Sequence, residues 1–266
     1  MIYCQLKGGL GNMLFQIAAT KSFAIDKNTN CSFPNFSHHL NYLNKDIKYN
    51  PSLDHAQEYK SFLKLNQKTP TNKIKIYKYP FKYTPFVPKE DEFVVDGFFQ
   101  SEKYFSHNRE GILEFIKPTE EIASIIQEKY PQVLKNHSVS LHIRRGDYVN
   151  LASHHPTQDY NYYTSALKMF DKIDLLVIFS DDIEWCKENL SFEQPTKFIE
   201  NEKDYIELLL MSKCKGNIIA NSSFSWWGAW LNEDKEKIVI APKKWFGPDL
   251  SHINTSDLYS KDWKVI

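Results

Sequence analysis

Apolar positions in the second half of the chain fall into short runs separated by stretches of helical spacing. Residues 138–143 alternate between apolar and polar and predict a strand, whereas 175–179 is a continuous apolar run typical of a buried strand. Further strands are predicted at 196–199, 217–220 and 237–241, and helices at 159–170, 183–190, 203–214 and 223–231. Short strands that alternate with helices predict a parallel sheet covered on both faces.

The first half opens with a strand at 2–6, a turn at Gly8-Gly-Leu-Gly11 and an unbroken helix at 13–25. This order is typical of the start of a Rossmann-like unit. Residues 66–92 are rich in Lys, Thr and Pro and predict a long irregular excursion.

The excursion is followed by a predicted strand at 93–99 and helices at 101–116 and 120–135, the last of which Pro131 should kink or end early. We therefore predict an α/β fold with two Rossmann-like halves. Their predicted bounds are 1–133 and 134–250, with a C-terminal tail at 251–266.

Charge and cysteine content exclude several classes of protein. Lys plus Arg equals Asp plus Glu, 33 each, so the chain lacks the basic excess of a nucleic-acid binder. The four cysteines are far apart and form no C-x-x-C pair, which predicts free thiols in a reducing compartment. The start of the chain is too polar for a signal peptide, and no apolar run approaches the roughly 20 residues of a membrane span. We expect a cytoplasmic protein, with loose peripheral membrane association left open.

Polar side chains follow three predicted strands of the second half. The segments are His142-Ile-Arg-Arg-Gly-Asp147, Ser180-Asp-Asp182 and Asn221-Ser-Ser-Phe-Ser225. In an open parallel sheet, ligands bind beyond the carboxyl ends of the strands. These segments are therefore predicted to meet in one crevice.

Each segment suits part of an anionic ligand. Arg144 and Arg145 offer planar forks that match diphosphate oxygens, although adjacent strand residues point to opposite sides and only one need face the phosphates. The alternative is a surface pair with carboxylate partners. Ser222 and Ser223 can cap the helix that follows, whose free N–H groups favour an anion.

Asp181 or Asp182 could accept paired hydrogen bonds from a guanine edge, hold a metal, or cap the next helix, the cap being the default for one of them. A metal site is not expected. The run Glu90-Asp91-Glu92 is interpreted as a solvated charge run, and the pairs His38-His39 and His154-His155 lack companions with ligand spacing.

Taken together, the motifs resemble those of the α-1,2-fucosyltransferases of glycosyltransferase family eleven. The matching segments run in family order: Gly8-Gly-Leu-Gly-Asn12, Phe98-Phe-Gln-Ser-Glu-Lys-Tyr-Phe105, His142-Ile-Arg-Arg-Gly-Asp-Tyr148, Phe179-Ser-Asp-Asp182 with Trp185-Cys186, and Ile218-Ile-Ala-Asn-Ser-Ser-Phe-Ser-Trp-Trp-Gly228. One departure is Met13, where the family usually has Gln after the Gly-Asn pair.

The resemblance implies a GT-B fold, two Rossmann-like halves facing a cleft that holds the donor, with no metal or other cofactor. The first half is then expected on the acceptor side and the second half on the GDP-fucose side. It implies inverting transfer of L-fucose from GDP-β-L-fucose to the 2-hydroxyl of a terminal β-galactoside. The implied donor-binding residues are His142, Arg144 and Arg145 at the diphosphate, Asp181 or Asp182 at the guanine, Asn221, Ser222, Ser223, Phe224 and Ser225 at the phosphates, and Asn12 from the first half.

Inversion requires a group that accepts the proton of the acceptor hydroxyl. Asp147 is the candidate base, with His155 behind it; the alternative for Asp147 is an ion pair that orients Arg145. Arg145 is the candidate that stabilises the departing diphosphate. Two other functions stay open: a GDP-fucose-dependent transferase that makes an α-1,6 or O-linked bond, and an inactive sugar-nucleotide or glycan-binding module.

Overall fold

The computed structural model describes residues 1–36 and 56–266. Within these ranges the chain forms two units: Met1–Thr119 with Asn254–Ser260, and Glu120–Ile253 with Lys261–Ile266. The histidine pair at positions 38 and 39 lies outside the described residues.

The first unit contains a sheet of four parallel strands in the order β2-β1-β4-β3. The strands are β1 (Ile2–Cys4), β2 (Cys31–Ser32), β3 (Ile76–Lys78) and β4 (Phe93–Asp96), and the helices are α1 (Leu10–Asp26), α2 (Ala56–Tyr59) and α3 (Arg109–Phe115). The central strands β1 and β4 are apolar and buried, whereas the edge strand β3 is largely exposed.

Helix α1 begins three residues before its predicted start because the glycine turn delivers the chain directly into it. Gly8 has φ of +80°, a conformation that favours glycine, and Gly9 is the extended N-cap residue. The Met13 backbone N–H donates to the Gly9 carbonyl oxygen at 3.0 Å and closes the first turn. The helix is buried along most of its length, so it forms the core of the unit.

The second unit contains a sheet of six parallel strands in the order β10-β9-β8-β5-β6-β7. The strands are β5 (Ser138–Ile143), β6 (Leu175–Ser180), β7 (Thr196–Phe198), β8 (Gly216–Ile218), β9 (Ile238–Ala241) and β10 (Lys264–Val265). The helices are α4 (Glu120–Lys129), α5 (Pro131–Lys135), α6 (Tyr160–Leu167), α7 (Ile183–Asn189), α8 (Asp204–Met211) and α9 (Ser223–Trp230). Read from β7 to β10, the sequential order is 3-2-1-4-5-6, the doubly wound Rossmann order.

The strand order of the second unit places its ligand crevice. The order reverses between β5 and β8, and in such sheets ligands bind outside the carboxyl ends of the strands at that switch point. The segments that follow β5 and β8 are the Arg144–Asp147 and Asn221–Ser225 segments of the sequence analysis. The fold therefore brings these two segments to the crevice.

The second unit begins at Glu120 rather than at residue 134, because the short helices α4 and α5 are tied to it. Lys129 forms an ion pair with Glu202, and the Tyr130 hydroxyl donates to the same carboxylate at 2.7 Å. The predicted tail at 251–266 is divided: Asn254–Ser260 belongs to the first unit, and Lys264–Val265 is the edge strand β10.

Two predictions for the first unit are wrong. The predicted helix at 101–116 contains two 3-10 turns before α3 begins at Arg109, because polar side chains there bond locally or to α1. Asn108, for example, donates through Nδ2 to Asp26 at 2.7 Å. The excursion at 66–92 contains strand β3, whose Lys-Ile-Tyr-Lys pattern gives no buried face by which the sequence would reveal it.

Candidate active site

Arg144 and Arg145 follow β5 directly and point to different partners. His142 lies on the face of the strand next to Phe224, with ring centroids 5.6 Å apart, whereas Ile143 faces the apolar core. The Arg144 guanidinium lies 5.1 Å from the Tyr148 ring centroid, and that of Arg145 lies 3.4 Å from the Trp185 ring centroid. The two arginines therefore have different surroundings and different chemistry available.

Arg144 is neutralised by two carboxylates. Its Nη2 donates to Asp147 Oδ1 at 2.5 Å, and its Nη1 lies 2.8 Å from Asp181 Oδ2. A Cβ at Gly146 would meet Asp181 Oδ2 at 2.3 Å, so the close approach of this carboxylate requires glycine at that position. Asp147 is thus an ion-pair partner of Arg144, whereas the sequence analysis had offered Arg145 as the partner.

Arg145 keeps the end of its guanidinium available. Its backbone N–H donates to Asp181 Oδ1 at 2.8 Å, and its Nε donates to Asp182 Oδ2 at 3.1 Å. Its terminal nitrogens hydrogen-bond to no residue within 1–36 or 56–266. Trp185 supports the planar group from one face. Arg145 is therefore oriented as a fork that can grip two oxygens of an anion.

The two aspartates after β6 differ in their remaining capacity. Both oxygens of Asp181 are engaged, one by the Arg145 backbone and one by Arg144. Asp182 stands at the N-cap position of α7, but its side chain makes no capping hydrogen bond, so the cap expected of one aspartate is absent. Its Oδ2 accepts from Arg145, and its Oδ1 accepts no hydrogen bond from the described residues. Of the two, Asp182 is better placed to accept from a ligand.

The segment after β8 divides into residues that hold it and residues that border the crevice. Ser222 caps α9, accepting from the Phe224 backbone N–H at 3.3 Å, and Ser225 bridges the Ala220 N–H and the Ser222 carbonyl. The Asn221 side chain is buried and fully paired with other segments of the unit: it donates to Pro156 and Trp245 carbonyls and accepts from Gln158. Ser223 and Phe224 are half-buried at the open start of the helix.

This division bears on the predicted phosphate contacts. The side chains of Asn221, Ser222 and Ser225 have internal partners and fix the loop. Ser223 and the N–H groups of the first turn of α9 other than that of Phe224 are left for an anion. Trp226, Trp227 and Trp230 are buried core residues.

His142 is a neutral group in this site. Burial, together with the nearby positive charge of Arg144, lowers the pKa of His142 to about 3. The side chain is 5% exposed, and its Nδ1 has no hydrogen-bond partner in the described parts of the chain. With this pKa His142 is uncharged near pH 7, so it is suited to act as a neutral hydrogen-bonding ring.

His155 stacks on Tyr148, with ring centroids 4.9 Å apart and an interplanar angle of 20°. Burial lowers the pKa of His155, and the neighbouring Asp147 opposes that shift. Its buried Nδ1 is unpartnered within the residues that the structure describes. Tyr148 thus contacts both His155 and Arg144. An unprotonated imidazole at this position is chemically able to accept a proton.

Two residues of the site were missed by the sequence analysis. Trp185 lies one helical turn after Asp182, and this i, i+3 spacing could have indicated that an arginine bound to Asp182 would lie over the indole. Glu207 is in the first turn of α8, inside the apolar run 205–211. Burial and the charges of Asp204, Glu202 and Asp181 raise the pKa of Glu207 to about 8. The signal for it was a lone carboxylate in an apolar run.

Asn12 belongs to the first unit, where its Oδ1 accepts from Gln100 Nε2 at 2.6 Å. Met13 is fully buried, so the residue that replaces the usual Gln points into the core. Within 1–36 and 56–266, no three His, Cys, Asp or Glu side chains are grouped so as to hold a metal ion. Over the same ranges, no helix is both long and apolar enough to cross a bilayer.

Two units with parallel Rossmann-type sheets, as in the GT-B fold, and an open arginine fork beside a helix start at the switch point are typical of a nucleotide-binding enzyme. The comparisons agree with this class and narrow it. The chain belongs to glycosyl transferase family 11, whose family model matches residues 1–266. It is therefore an enzyme of the transferase class, and the family resemblance of its motifs is confirmed.

Three known proteins illustrate the relationship. The chain is 32% identical to an α-1,2-colitosyltransferase of Escherichia coli, over 99% of this chain and 98% of that protein. It is also 32% identical to a galactoside 2-α-L-fucosyltransferase of Caenorhabditis elegans, over 54% of this chain and 44% of that protein. A crystal structure of POFUT1 in complex with GDP-fucose shares the fold, with a TM-score of 0.55, 14% identity and coverage of 90% of this chain and 97% of that one.

Proposed function

We propose that this enzyme transfers L-fucose from GDP-β-L-fucose to the 2-hydroxyl of a terminal β-galactoside, with inversion and without a metal ion. The observation that carries the proposal is the Arg145 fork, held by Asp182 and Trp185 with its terminal nitrogens unbonded to described residues. Membership of a family whose relatives include α-1,2-fucosyltransferases supports the linkage.

The leaving group explains the need for Arg145. As the bond to the anomeric carbon breaks, negative charge grows on the departing diphosphate, so a fixed cation stabilises the transition state more than the bound donor. The start of α9, with Ser223, adds N–H donors to the same anion. Arg144 orients this arrangement indirectly, because it holds Asp181, which in turn accepts from the Arg145 backbone.

The pairing of the aspartates supports the metal-free proposal. Asp181 and Asp182 are the carboxylates at the end of β6, where a metal-dependent transferase would hold its ion. Both are bound to arginines instead. The cations that offset the diphosphate charge are thus supplied by side chains in this proposal.

For the proton of the acceptor hydroxyl we propose Asp147, with His155 as the alternative base. Arg144 fixes Asp147 through Oδ1, and Oδ2 accepts no hydrogen bond from the described residues. Burial lowers the pKa of His155, which favours the unprotonated ring that a base requires. Asp147→Asn should lower kcat with little change in the KM of GDP-fucose. If His155→Gln shows this effect and Asp147→Asn does not, the base is His155.

We propose a cytoplasmic location with peripheral attachment to an anionic membrane. The four cysteines are all buried with free thiols, which suits a reducing compartment. Residues 59–89 contain eight lysines and no Asp or Glu, although the whole chain has no net charge. Each lysine near an anionic bilayer contributes about 1 kcal/mol of attraction. Co-sedimentation with phosphatidylglycerol vesicles, but not with phosphatidylcholine vesicles, tests the attachment.

Mass spectrometry of products tests the transfer itself. Enzyme in excess EDTA is incubated with GDP-fucose and a panel of β-galactosides, with matched glucosides as controls. The expected result is the addition of one deoxyhexosyl residue to galactosides only, and its loss in Arg145→Ala. Turnover that requires added Mg²⁺ or Mn²⁺, or binding of GDP-fucose without transfer to any galactoside, would contradict the proposal.

Colitose is a second candidate for the transferred sugar, because the colitosyltransferase relative matches almost the whole chain. Colitose lacks the 3-hydroxyl of fucose. A site that hydrogen-bonds this hydroxyl rejects the analogue strongly, whereas a site that does not contact it discriminates weakly. Competition between the two GDP-sugars at equal concentration, read by product mass, decides between the candidates.

A further inference from the structure

A charged pair and an exposed aromatic ring lie together where β1 and β4 end. Lys7 Nζ and Asp96 Oδ1 are 2.6 Å apart, and about a third of each side chain is exposed, 33% and 34%. The Lys7 ammonium also lies 4.8 Å from the ring centroid of Phe98, which is 39% exposed. An exposed aromatic ring beside polar groups is a combination that recognises small molecules with both polar and apolar faces.

An amide pair borders this charged pair. Gln100 Nε2 donates to Asn12 Oδ1 at 2.6 Å, while the Gln100 side chain is buried and its Oε1 has no partner in the described parts of the chain. A buried acceptor without a donor costs about 1–3 kcal/mol, which a ligand hydroxyl would relieve.

Gln16 connects the two pairs and makes them one cluster. Its Nε2 donates to the carbonyl oxygens of Lys7 at 2.7 Å and of Asn12 at 3.0 Å, and its Oε1 accepts from the Lys7 N–H. A Cβ at Gly8 would meet Asn12 Nδ2 at 2.5 Å, so Asn12 lies directly over the turn. We call Lys7, Asn12, Asp96, Phe98 and Gln100 the β1/β4 cluster.

The backbone beneath the cluster is strained. Phe99, between Phe98 and Gln100, has φ of +54° although its side chain is bulky and fully buried. Such a conformation costs of order 1–3 kcal/mol and is found preferentially at ligand sites. β1 and β4 are neighbouring parallel strands, and ligands of open parallel sheets bind beyond such carboxyl ends. The strained backbone at Phe99, the unpaired Oε1 of Gln100 and the position at the strand ends all indicate a binding site.

We propose that the β1/β4 cluster is a subsite for the hexose ring of the acceptor, an inference that rests on the proposed function. Asp96, oriented by Lys7, accepts hydrogen bonds from two ring hydroxyls, because a carboxylate can accept from both oxygens. Phe98 packs against the C–H face of the sugar. The Asn12–Gln100 amides, which can both donate and accept, complete the polar contacts. Asn12, which the resemblance implies at the donor, is thereby assigned to the acceptor.

Saturation-transfer NMR with N-acetyllactosamine, in the presence of GDP, tests the subsite directly. The wild-type enzyme should transfer saturation to the galactose protons, and both Asp96→Asn and Phe98→Ala should abolish this transfer. In steady-state assays the acceptor KM should rise at least about tenfold, a loss equivalent to about 1.4 kcal/mol. The KM of GDP-fucose and the Kd of GDP should stay within twofold.

Matched controls come from the same unit. Asp26→Asn removes a carboxylate paired with His107 at 3.0 Å, at the far end of α1, about 24 Å from its start. Phe86→Ala removes a ring that is 47% exposed. Both controls should keep normal acceptor binding. If Phe98→Ala unfolds at a lower temperature than the wild type, the test relies on Phe98→Leu and Asp96→Asn, which keep the side-chain volume closer to that of the wild type.

Several outcomes would overturn the subsite. An unchanged acceptor KM in Asp96→Asn, or equal losses in the control variants, would show that the cluster is structural. A rise confined to the KM of GDP-fucose would assign it to the donor. If the wild type transfers fucose to no galactoside, the proposed function fails; sugar binding that depends on Asp96 and Phe98 would then still support a hexose subsite.

Discussion

Substituting the two adjacent arginines by lysine should have very different effects. Arg145→Lys keeps the charge but loses the fork, the Nε–Asp182 hydrogen bond at 3.1 Å and the stacking on Trp185 at 3.4 Å. Losing one charged hydrogen bond to the departing diphosphate costs about 1.5–3 kcal/mol, which is roughly a 10- to 100-fold loss in kcat/KM. Arg144→Lys retains a cation between Asp147 and Asp181, so we expect a loss of less than about fivefold, under about 1 kcal/mol.

The assay is kcat/KM for GDP-fucose with a saturating galactoside, with thermal melts of both variants to separate folding defects from chemical ones. Arg144→Lys is the matched control, because it makes the same substitution one residue away. An Arg145→Lys enzyme that folds normally and keeps more than half the wild-type kcat/KM would refute the assignment. So would a larger loss in Arg144→Lys than in Arg145→Lys.

The remaining predictions concern Trp185, Ser223, His142 and the independence of turnover from a metal ion. Trp185→Leu should lower kcat/KM about 3- to 30-fold with Tm nearly unchanged, because cation–π stacking on Arg145 contributes about 0.5–2 kcal/mol. Wild-type kinetics in this variant would show that the Trp185 ring does not support Arg145 in catalysis. Ser223→Ala should weaken GDP binding by less than tenfold in calorimetry, since it removes at most one hydroxyl contact of about 1 kcal/mol at the start of α9. The pKa of His142 is depressed to about 3, so its contribution to stability is present above pH 6.5 and is lost as pH falls. Chemical denaturation at pH 7.5 and 5.5 should show a decrease of about 1 kcal/mol that disappears in His142→Asn, and an equal decrease in the variant would count against a neutral histidine. Turnover should persist in excess chelator, and rescue of lost activity by Mg²⁺ or Mn²⁺ would contradict the metal-free proposal.

Local pattern was sufficient to predict much of the second unit. Strand β5 has the predicted bounds, because its alternation is regular and Gly146 follows closely. Pro131 ends α4 as expected, since proline cannot donate within a helix. The three segments at strand ends converge on the same sheet edge because all six strands are parallel.

Tertiary context determined what the pattern could not predict. Which arginine is neutralised depends on the carboxylates that β6 brings alongside, and these come from residues 36 to 37 positions away. Asp182 occupies the N-cap position of α7 and pairs with Arg145 without capping the helix, and helix propensity does not include such a long-range pairing. Strand β3 was missed for a different reason: an exposed edge strand has no hydrophobic period to detect.

The central claim is the transfer of fucose in an α-linkage to the 2-hydroxyl of a β-galactoside. NMR of the product formed from GDP-fucose and N-acetyllactosamine tests it most directly, because one spectrum reports both the anomeric configuration and the linked carbon. The account predicts an α-configured fucose whose anomeric proton correlates with C2 of galactose. A correlation to any other acceptor carbon, a β-configured fucose, or no product while GDP-fucose binds would contradict it.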